Sequence, residues 1–192
     1  MKRYIRAVLS LGDYTYYDVK KYLEDKRCAM WVLEELAKDS NKHIRSRVAE
    51  HPNCSEALLC ELSHDSNKDV RERVAWNRST PSWILAYLAA DDEWFVRSSA
   101  AGNPNTPPEI LAGLENDTYL VSQDVARNPS TPVDVVIRLA SHPESDVRGG
   151  AAHNPNLPMS VLKALCNDSN YVVAYGAKLE YKYRVGQGEE PV

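Results

Sequence analysis

A short turn sequence recurs along this chain at a nearly constant interval, and this spacing limits the folds that the chain can adopt. The turns begin at His51, Asn77, Asn103, Asn128 and Asn154, and successive starts lie 26, 26, 25 and 26 residues apart. Most of them read as variations of Asn-Pro-x-Thr-Pro. Residues at the same phase of a fixed period occupy equivalent places in stacked structural units. The sequence therefore predicts a repeat array.

The segment after each turn predicts a first helix, helix A. We expect Thr to cap the free amides of this helix and Pro to occupy its first position. Apolar residues follow at helical spacing and should form a shared core. A partial first unit at Trp31, Val32, Leu33 and Leu36 should act as an N-terminal cap. The core positions are Leu58, Leu59 and Leu62; Ile84, Leu85 and Leu88; Ile110, Leu111 and Leu114; Val135, Val136 and Leu139; and Val161, Leu162 and Leu165.

A second, shorter helix, helix B, is predicted between an acidic turn and the next Asn-Pro. Its inward side is an i, i+4 stripe of apolar residues that cannot be buried by one unit alone. The units must therefore stack. The Gly149-Gly150 pair reads as a tolerated weak point in one of these helices. The stripe comprises Ile44 and Val48, Val70 and Val74, Val96 and Ala100, Val121 and Val125, and Val147 and Ala151.

The complete unit, D-x-x-x-x-V-R-x-x-V-A-x-N-P-x-T-P-x-x-x-L-x-x-L, resembles the leucine-rich repeat variant family, with HEAT-like repeats as looser relatives. The resemblance implies an all-α, right-handed α-solenoid of about six 26-residue two-helix repeats. The resemblance covers about residues 28–178, which we assign to the repeat array. Residues 1–27 do not follow the repeat and are predicted to form capping helices, and residues 179–192 are predicted to form a helix end with a disordered tail. Some members carry an N-terminal cysteine-rich iron–sulfur module, but this chain lacks the close cysteine spacing that such a module needs.

Acidic and basic residues also follow the period. Asp precedes Arg by six residues in the pairs Asp39 and Arg45, Asp65 and Arg71, and Asp91 and Arg97, whereas Arg148 lacks such an Asp. In HEAT-like repeats such residues brace neighbouring units through charge-assisted hydrogen bonds, and the resemblance implies the same role here. The pattern lapses at Ser122 and Ala174, where we expect the brace to be missing.

Enzyme and membrane classes find little support in the sequence. The five histidines are scattered, and the chain has no Gly-rich phosphate loop and no G-x-S-x-G or H-E-x-x-H motif. We therefore predict no enzymatic activity and no cofactor. No apolar run approaches the length that spans a bilayer, and the apolar stretch near the N-terminus is too short for a secretory signal. These features predict a cytoplasmic protein with reduced cysteines.

The repeats differ most at the two residues before the Val-Arg position of helix B. A structural column stays constant, whereas a recognition surface is free to vary. We therefore predict that a protein partner binds a ridge with aromatic anchors at Trp76, Trp94, Phe95 and Tyr119 and polar neighbours at Arg71, Arg73 and Arg97. In the alternative reading, the aromatic residues fill grooves between units. The variable pairs are Lys42-His43, Lys68-Asp69, Trp94-Phe95, Tyr119-Leu120, Ser145-Asp146 and Tyr171-Val172.

Two other kinds of ligand remain open at this point. Residues 1–48 carry eleven Lys and Arg against seven Asp and Glu, whereas residues 49–192 carry twelve against twenty. A basic N-terminal patch could therefore bind nucleic acid. The repeat register also brings Cys28 and Cys54 to equivalent positions near Cys60, so the three thiolates could hold a metal or cluster. The patch would comprise Lys42, Arg45, Arg47, Lys68, Arg71 and Arg73.

Overall fold

The computed structural model describes residues 19–20, 23–25 and 28–188. Between residues 28 and 188 all regular secondary structure is helical, and no described helix is both long and apolar enough to cross a bilayer. The predicted capping helices at 1–27 and the last four residues of the predicted tail lie largely or wholly outside these ranges. Twelve helices follow in order: α1 (Met30–Leu36), α2 (Lys42–Glu50), α3 (Glu56–Ser63), α4 (Lys68–Trp76), α5 (Ser82–Leu88), α6 (Trp94–Gly102), α7 (Pro108–Gly113), α8 (Tyr119–Arg127), α9 (Val133–Leu139), α10 (Ser145–Ala152), α11 (Met159–Leu165) and α12 (Tyr171–Gly186).

The helices alternate between the predicted A type (α1, α3, α5, α7, α9, α11) and B type (α2, α4, α6, α8, α10, α12). The chain divides into two compact units, residues 1–84 and 85–192. In the first unit α2 packs on α4, and α3 packs on α4. In the second unit α6, α8, α10 and α12 pack in sequence, each on the next. This confirms an all-α repeat architecture; its handedness and number of repeats stay predictions.

The predicted core columns are buried. Every residue of the helix B stripe is at most 2% exposed, and Leu59, Leu85, Leu111 and Leu162 of the A helices are fully buried. Only Ile110 and Val161 of the predicted helix A set are half-buried instead. Full burial of such side chains stabilises a fold by roughly 1.5–3 kcal/mol each. The apolar columns therefore supply most of the stabilisation within each unit.

Three buried asparagines, Asn77, Asn128 and Asn154, each link their turn to the turn before it. The Nδ2 of Asn128 donates to the carbonyl oxygens of Ala101 at 2.6 Å and Asn103 at 2.9 Å. Its Oδ1 accepts the amide N–H two residues later at 2.8 Å. Asn77 and Asn154 make the same three bonds. All three side chains are at most 6% exposed, so each amide satisfies backbone groups that water does not reach.

Thr106 and Thr131 do not cap the A helices that follow them, α7 and α9, so the prediction of threonine caps is wrong there. The Oγ1 of Thr80 donates to the carbonyl oxygen of Val74 at 2.5 Å, and Thr106 and Thr131 donate in the same way six residues back. The N-cap is the following proline, as at Pro132, which has extended backbone and no side-chain cap. A hydroxyl both donates and accepts, and here it donates to the orphan carbonyls at the end of the preceding helix B.

Arginine side chains form the predicted braces between neighbouring repeats, each with the Asp of the repeat that follows. The Nε and Nη2 of Arg97 donate to Asp117, 20 residues later, at 2.7 and 2.8 Å. Its Nη1 donates to the carbonyl oxygens of Asp91 and Asp92 in its own repeat. Arg45 and Arg148 are bonded in the same way to the Asp of the next repeat. Arg148 is therefore fully braced, although no Asp lies six residues before it.

The brace differs at position 122, where one repeat has Ser in place of the Arg of its neighbours. Ser122 is fully buried and its hydroxyl donates to the carbonyl oxygen of Glu115 at 2.9 Å, so the guanidinium brace is absent there, as expected. A different pair lies nearby, because Arg138 donates twice to the carboxylate of Glu115, at 2.7 and 2.8 Å. The turn that follows α7 and helix α9 are thus joined by an ion pair of their own.

Asn128 offers a direct test of the turn-to-turn bonds. In Asn128→Ala the carbonyls of Ala101 and Asn103 lose their side-chain donor within a buried site. Unmade buried bonds cost about 1–3 kcal/mol each, so we expect the free energy of unfolding to fall by roughly 2–4 kcal/mol in urea denaturation. Asn116→Ala, at an exposed position, is the control and should change stability by less than about 0.5 kcal/mol.

Gly150 is required by packing, which corrects its interpretation as a weak point. A Cβ at this position would lie 2.7 Å from the carbonyl oxygen of Gln123 and 3.2 Å from the Cβ of Ala126. We expect Gly150→Ala to push α10 away from α8 and to lower the free energy of unfolding by about 1–3 kcal/mol. Gly113→Ala, with no atom within 4 Å, should instead raise it by up to about 1 kcal/mol. Equal effects in thermal denaturation would contradict the packing argument.

Candidate partner-binding surface on the second helices

The predicted polar neighbours have different environments. Arg97 is a brace whose guanidinium nitrogens are engaged, and the Nη1 of Arg71 donates to the carbonyl oxygen of Asp65 at 3.0 Å. Arg73 lies at the surface, with 42% of its side chain exposed and Nη1 at 3.8 Å from Glu50. Of the three, Arg73 is the one whose side chain is best placed to contact a partner.

In the first unit a polar groove of about 420 Å³ runs between α2 and α4. Opposite charges alternate along it: Glu50 lies within 4 Å of both Arg47 and Arg73, and Lys42 bonds Asp69 at 2.7 Å. The position of Glu50 between two arginines was not predicted from the sequence. The one sequence feature that could have indicated this position is the i, i+3 spacing between Arg47 and Glu50. The lining residues are His43, Ser46, Arg47, Glu50, Asp69, Glu72 and Arg73.

This arrangement weighs against the basic patch as a nucleic-acid site. Arg45 is bonded to the carboxylate of Asp65, and Lys42, Arg47 and Arg73 each face a carboxylate of the same groove. A phosphate backbone is bound mainly through accumulated Lys and Arg contacts, which here would have to replace existing ion pairs. Nucleic-acid binding stays a prediction that the local charges do not favour.

The predicted aromatic residues lie at the surface. Trp76, at the end of α4 in the first unit, is 62% exposed. In the second unit Trp94 begins α6 and is 42% exposed, while Tyr119 begins α8 and is 46% exposed. The half-buried Phe95 meets Trp94 edge to face, with ring centroids 5.8 Å apart. Phe95 therefore fits the alternative prediction of a ring that fills a groove between repeats, whereas Trp94 and Tyr119 do not.

The positions of Trp94 and Tyr119 are equivalent in successive repeats. Trp94 and Tyr119 are the first residues of α6 and α8, and these two helices pack directly on each other. Further along the same helices, Ser98 of α6 donates a hydrogen bond to the carboxylate of Asp124 on α8. Burial raises the pKa of Asp124, and the Ser98 bond and the charge of Arg127 oppose that rise. The two helices that begin with Trp94 and Tyr119 are thus joined by a side-chain hydrogen bond.

The cysteines do not form the alternative metal site within the described residues. No group of three or more His, Cys, Asp or Glu side chains that could hold a metal ion occurs there, although Cys28, Cys54 and Cys60 are all described. Cys54 is 5% exposed, and burial raises the pKa of its thiol to about 12. A thiol in this environment stays protonated at neutral pH and is a poor metal ligand.

Comparisons with known proteins agree with the repeat architecture. Neither a family model nor a curated protein matches this chain. One solved structure, described as a leucine-rich repeat variant with a novel repetitive protein structural motif, is similar over 92% of this chain and 71% of that chain. The TM-score is 0.62 and the sequence identity 24%. The chain therefore has the helical-repeat fold of a leucine-rich repeat variant, as its turn sequences predicted.

Proposed function

We propose that this chain is a non-enzymatic, cytoplasmic scaffold that holds a protein partner on the surface of its short second helices. Trp94 and Tyr119 are the apolar anchors in the second unit, and Phe95 supports Trp94 from the side. Trp76 and Arg73 provide further contacts in the first unit. Arg71 and Arg97 contribute by fixing the helices that carry the aromatic rings.

The exposure of Trp94 and Tyr119 on two helices that pack together is the observation that carries this proposal. Exposed aromatic rings lose solvent contact on binding at little cost in conformational entropy, and such residues dominate the binding energy of many interfaces. The inward positions of the same two helices are apolar and fully buried in both repeats. The residues at the exposed ring positions differ between repeats while the buried positions stay apolar, which suits recognition better than structural packing.

A double variant, Trp94→Ala with Tyr119→Ala, tests the siting. Partners captured from the native host by the immobilised wild-type chain would be identified by quantitative mass spectrometry, purified, and titrated against each variant by calorimetry. Interface aromatics of this kind contribute about 2 kcal/mol or more each, so removing both should cost about 4 kcal/mol and weaken binding roughly a thousandfold.

Tyr87→Ala is the matched control, because Tyr87 is 50% exposed but lies on α5, an A helix. It should bind the partner like the wild type. Circular dichroism should show that all variants unfold within about 0.5 kcal/mol of the wild type, as expected for surface positions. Unchanged affinity in the folded double variant would place the partner elsewhere.

A further inference from the structure

The last helix carries an apolar surface that the proposed function does not use. Tyr171, Tyr175, Leu179 and Tyr183 follow one another at i, i+4 spacing along α12 and are between 52% and 78% exposed. The rings of Tyr171 and Tyr175 stack with centroids 6.0 Å apart. We call these four residues the α12 stripe.

The stripe lies on the side of α12 opposite to its packed face. Val173, Ala174 and Ala177 are buried where α12 meets α10 and α11. The four exposed side chains together offer on the order of 400 Å² of largely apolar surface, the size of a patch that is often an interaction site. At 16 residues α12 is also the longest described helix, and the stripe from Tyr171 to Tyr183 extends over about three of its turns.

The charges beside the stripe indicate what kind of surface would cover it. Lys178 and Lys182 are exposed and border the C-terminal half of the stripe on one edge, each one residue before a stripe residue. Within the described chain neither ammonium group forms a salt bridge. A covering helix that carried carboxylates along this edge would gain charge complementarity in addition to apolar burial.

We propose that the α12 stripe docks an amphipathic helix of another protein, with an apolar stripe bordered by Asp or Glu. This site is separate from Trp94 and Tyr119, because α10, which begins with the polar Ser145 and Asp146, packs between α8 and α12. Helices that dock in this way present apolar residues at i, i+3, i+4 and i+7. If the α12 stripe proved not to bind such a helix, the function proposed for Trp94 and Tyr119 would be unaffected.

Two other occupants fit the charges less well. In a two-fold dimer the same patch meets itself, so antiparallel α12 helices would bring the Lys178 and Lys182 edges together. An anionic membrane attracts clusters of basic residues, contributing about 1 kcal/mol per Lys or Arg near its surface. Two lysines on a chain of net charge −4 supply little of that attraction.

The test uses the full chain and two synthetic helical peptides of about 18 residues, or five turns. Both carry leucine at i, i+3, i+4 and i+7; one carries glutamate beside the leucines and the other lysine. In fluorescence titrations we expect the glutamate peptide to bind at least about tenfold tighter than the lysine peptide. Raising the salt from about 0.1 to about 1 M should reduce this preference, because the lysine edge is exposed.

Two variants separate the apolar and charged contributions. Tyr175→Ser with Leu179→Ser should lose binding of both peptides, whereas Tyr87→Ser, an equally exposed change outside α12, should not. Lys178→Glu with Lys182→Glu should reverse the preference between the peptides. All five substituted positions are exposed, so the variants should fold.

Three results would overturn the proposal. The first is equal affinity for both peptides, or binding that survives the double serine variant. The second is a wild-type dimer in light scattering that Leu179→Ser dissociates, which would assign the stripe to a second copy. The third is cosedimentation with phosphatidylserine vesicles that depends on the stripe, which would assign it to a membrane surface.

Discussion

The fold depends on one requirement: a carbonyl oxygen buried at the end of a helix must receive a hydrogen bond. In these turns the donors are the amide of Asn128 and its equivalents, which reach back to the preceding repeat, and the hydroxyl of Thr131 and its equivalents, which reach back to helix B. Both need a fixed distance along the chain. The period of the sequence is thus the spacing at which polar groups between stacked turns are satisfied.

The single 25-residue interval shows where this spacing tolerates change. Three acidic turns run Asp-Ser-Asn before helix B, whereas the turn before α8 has only Asp117 and Thr118. Asp117 still accepts both bonds from Arg97, and it accepts the amide N–H of Thr118 at 2.6 Å. The missing residue therefore falls in a surface turn. Asn128 keeps its bonds because nothing has shifted in the buried segments on either side.

Burial could be predicted from the sequence because it depends on apolar periodicity: positions such as Leu85 and Val125 are fully buried, and only Ile110 and Val161 of the predicted core are half-buried. Hydrogen-bond direction could not, since a hydroxyl such as Thr80 donates or accepts according to which helix end it faces. The role of Gly150 could not be predicted either, because it depends on how closely α8 and α10 pack, which the sequence does not specify. For the candidate site, the sequence identified Trp94 and Tyr119 as variable, but only the fold distinguishes exposed rings from groove-filling ones.

The end of the described array follows from the same requirement. Position 180, one period after Asn154, is Glu, and no proline follows until residue 191, so α12 continues instead of turning. Inner turns receive donors from the next repeat, as when Asn156 donates to the carbonyl oxygen of Pro129 at 2.6 Å. The final turn receives one from Arg184 instead, which is 8% exposed and donates to Leu157 at 2.8 Å. The longer helix thus completes the last turn with its buried side and leaves the α12 stripe facing solvent.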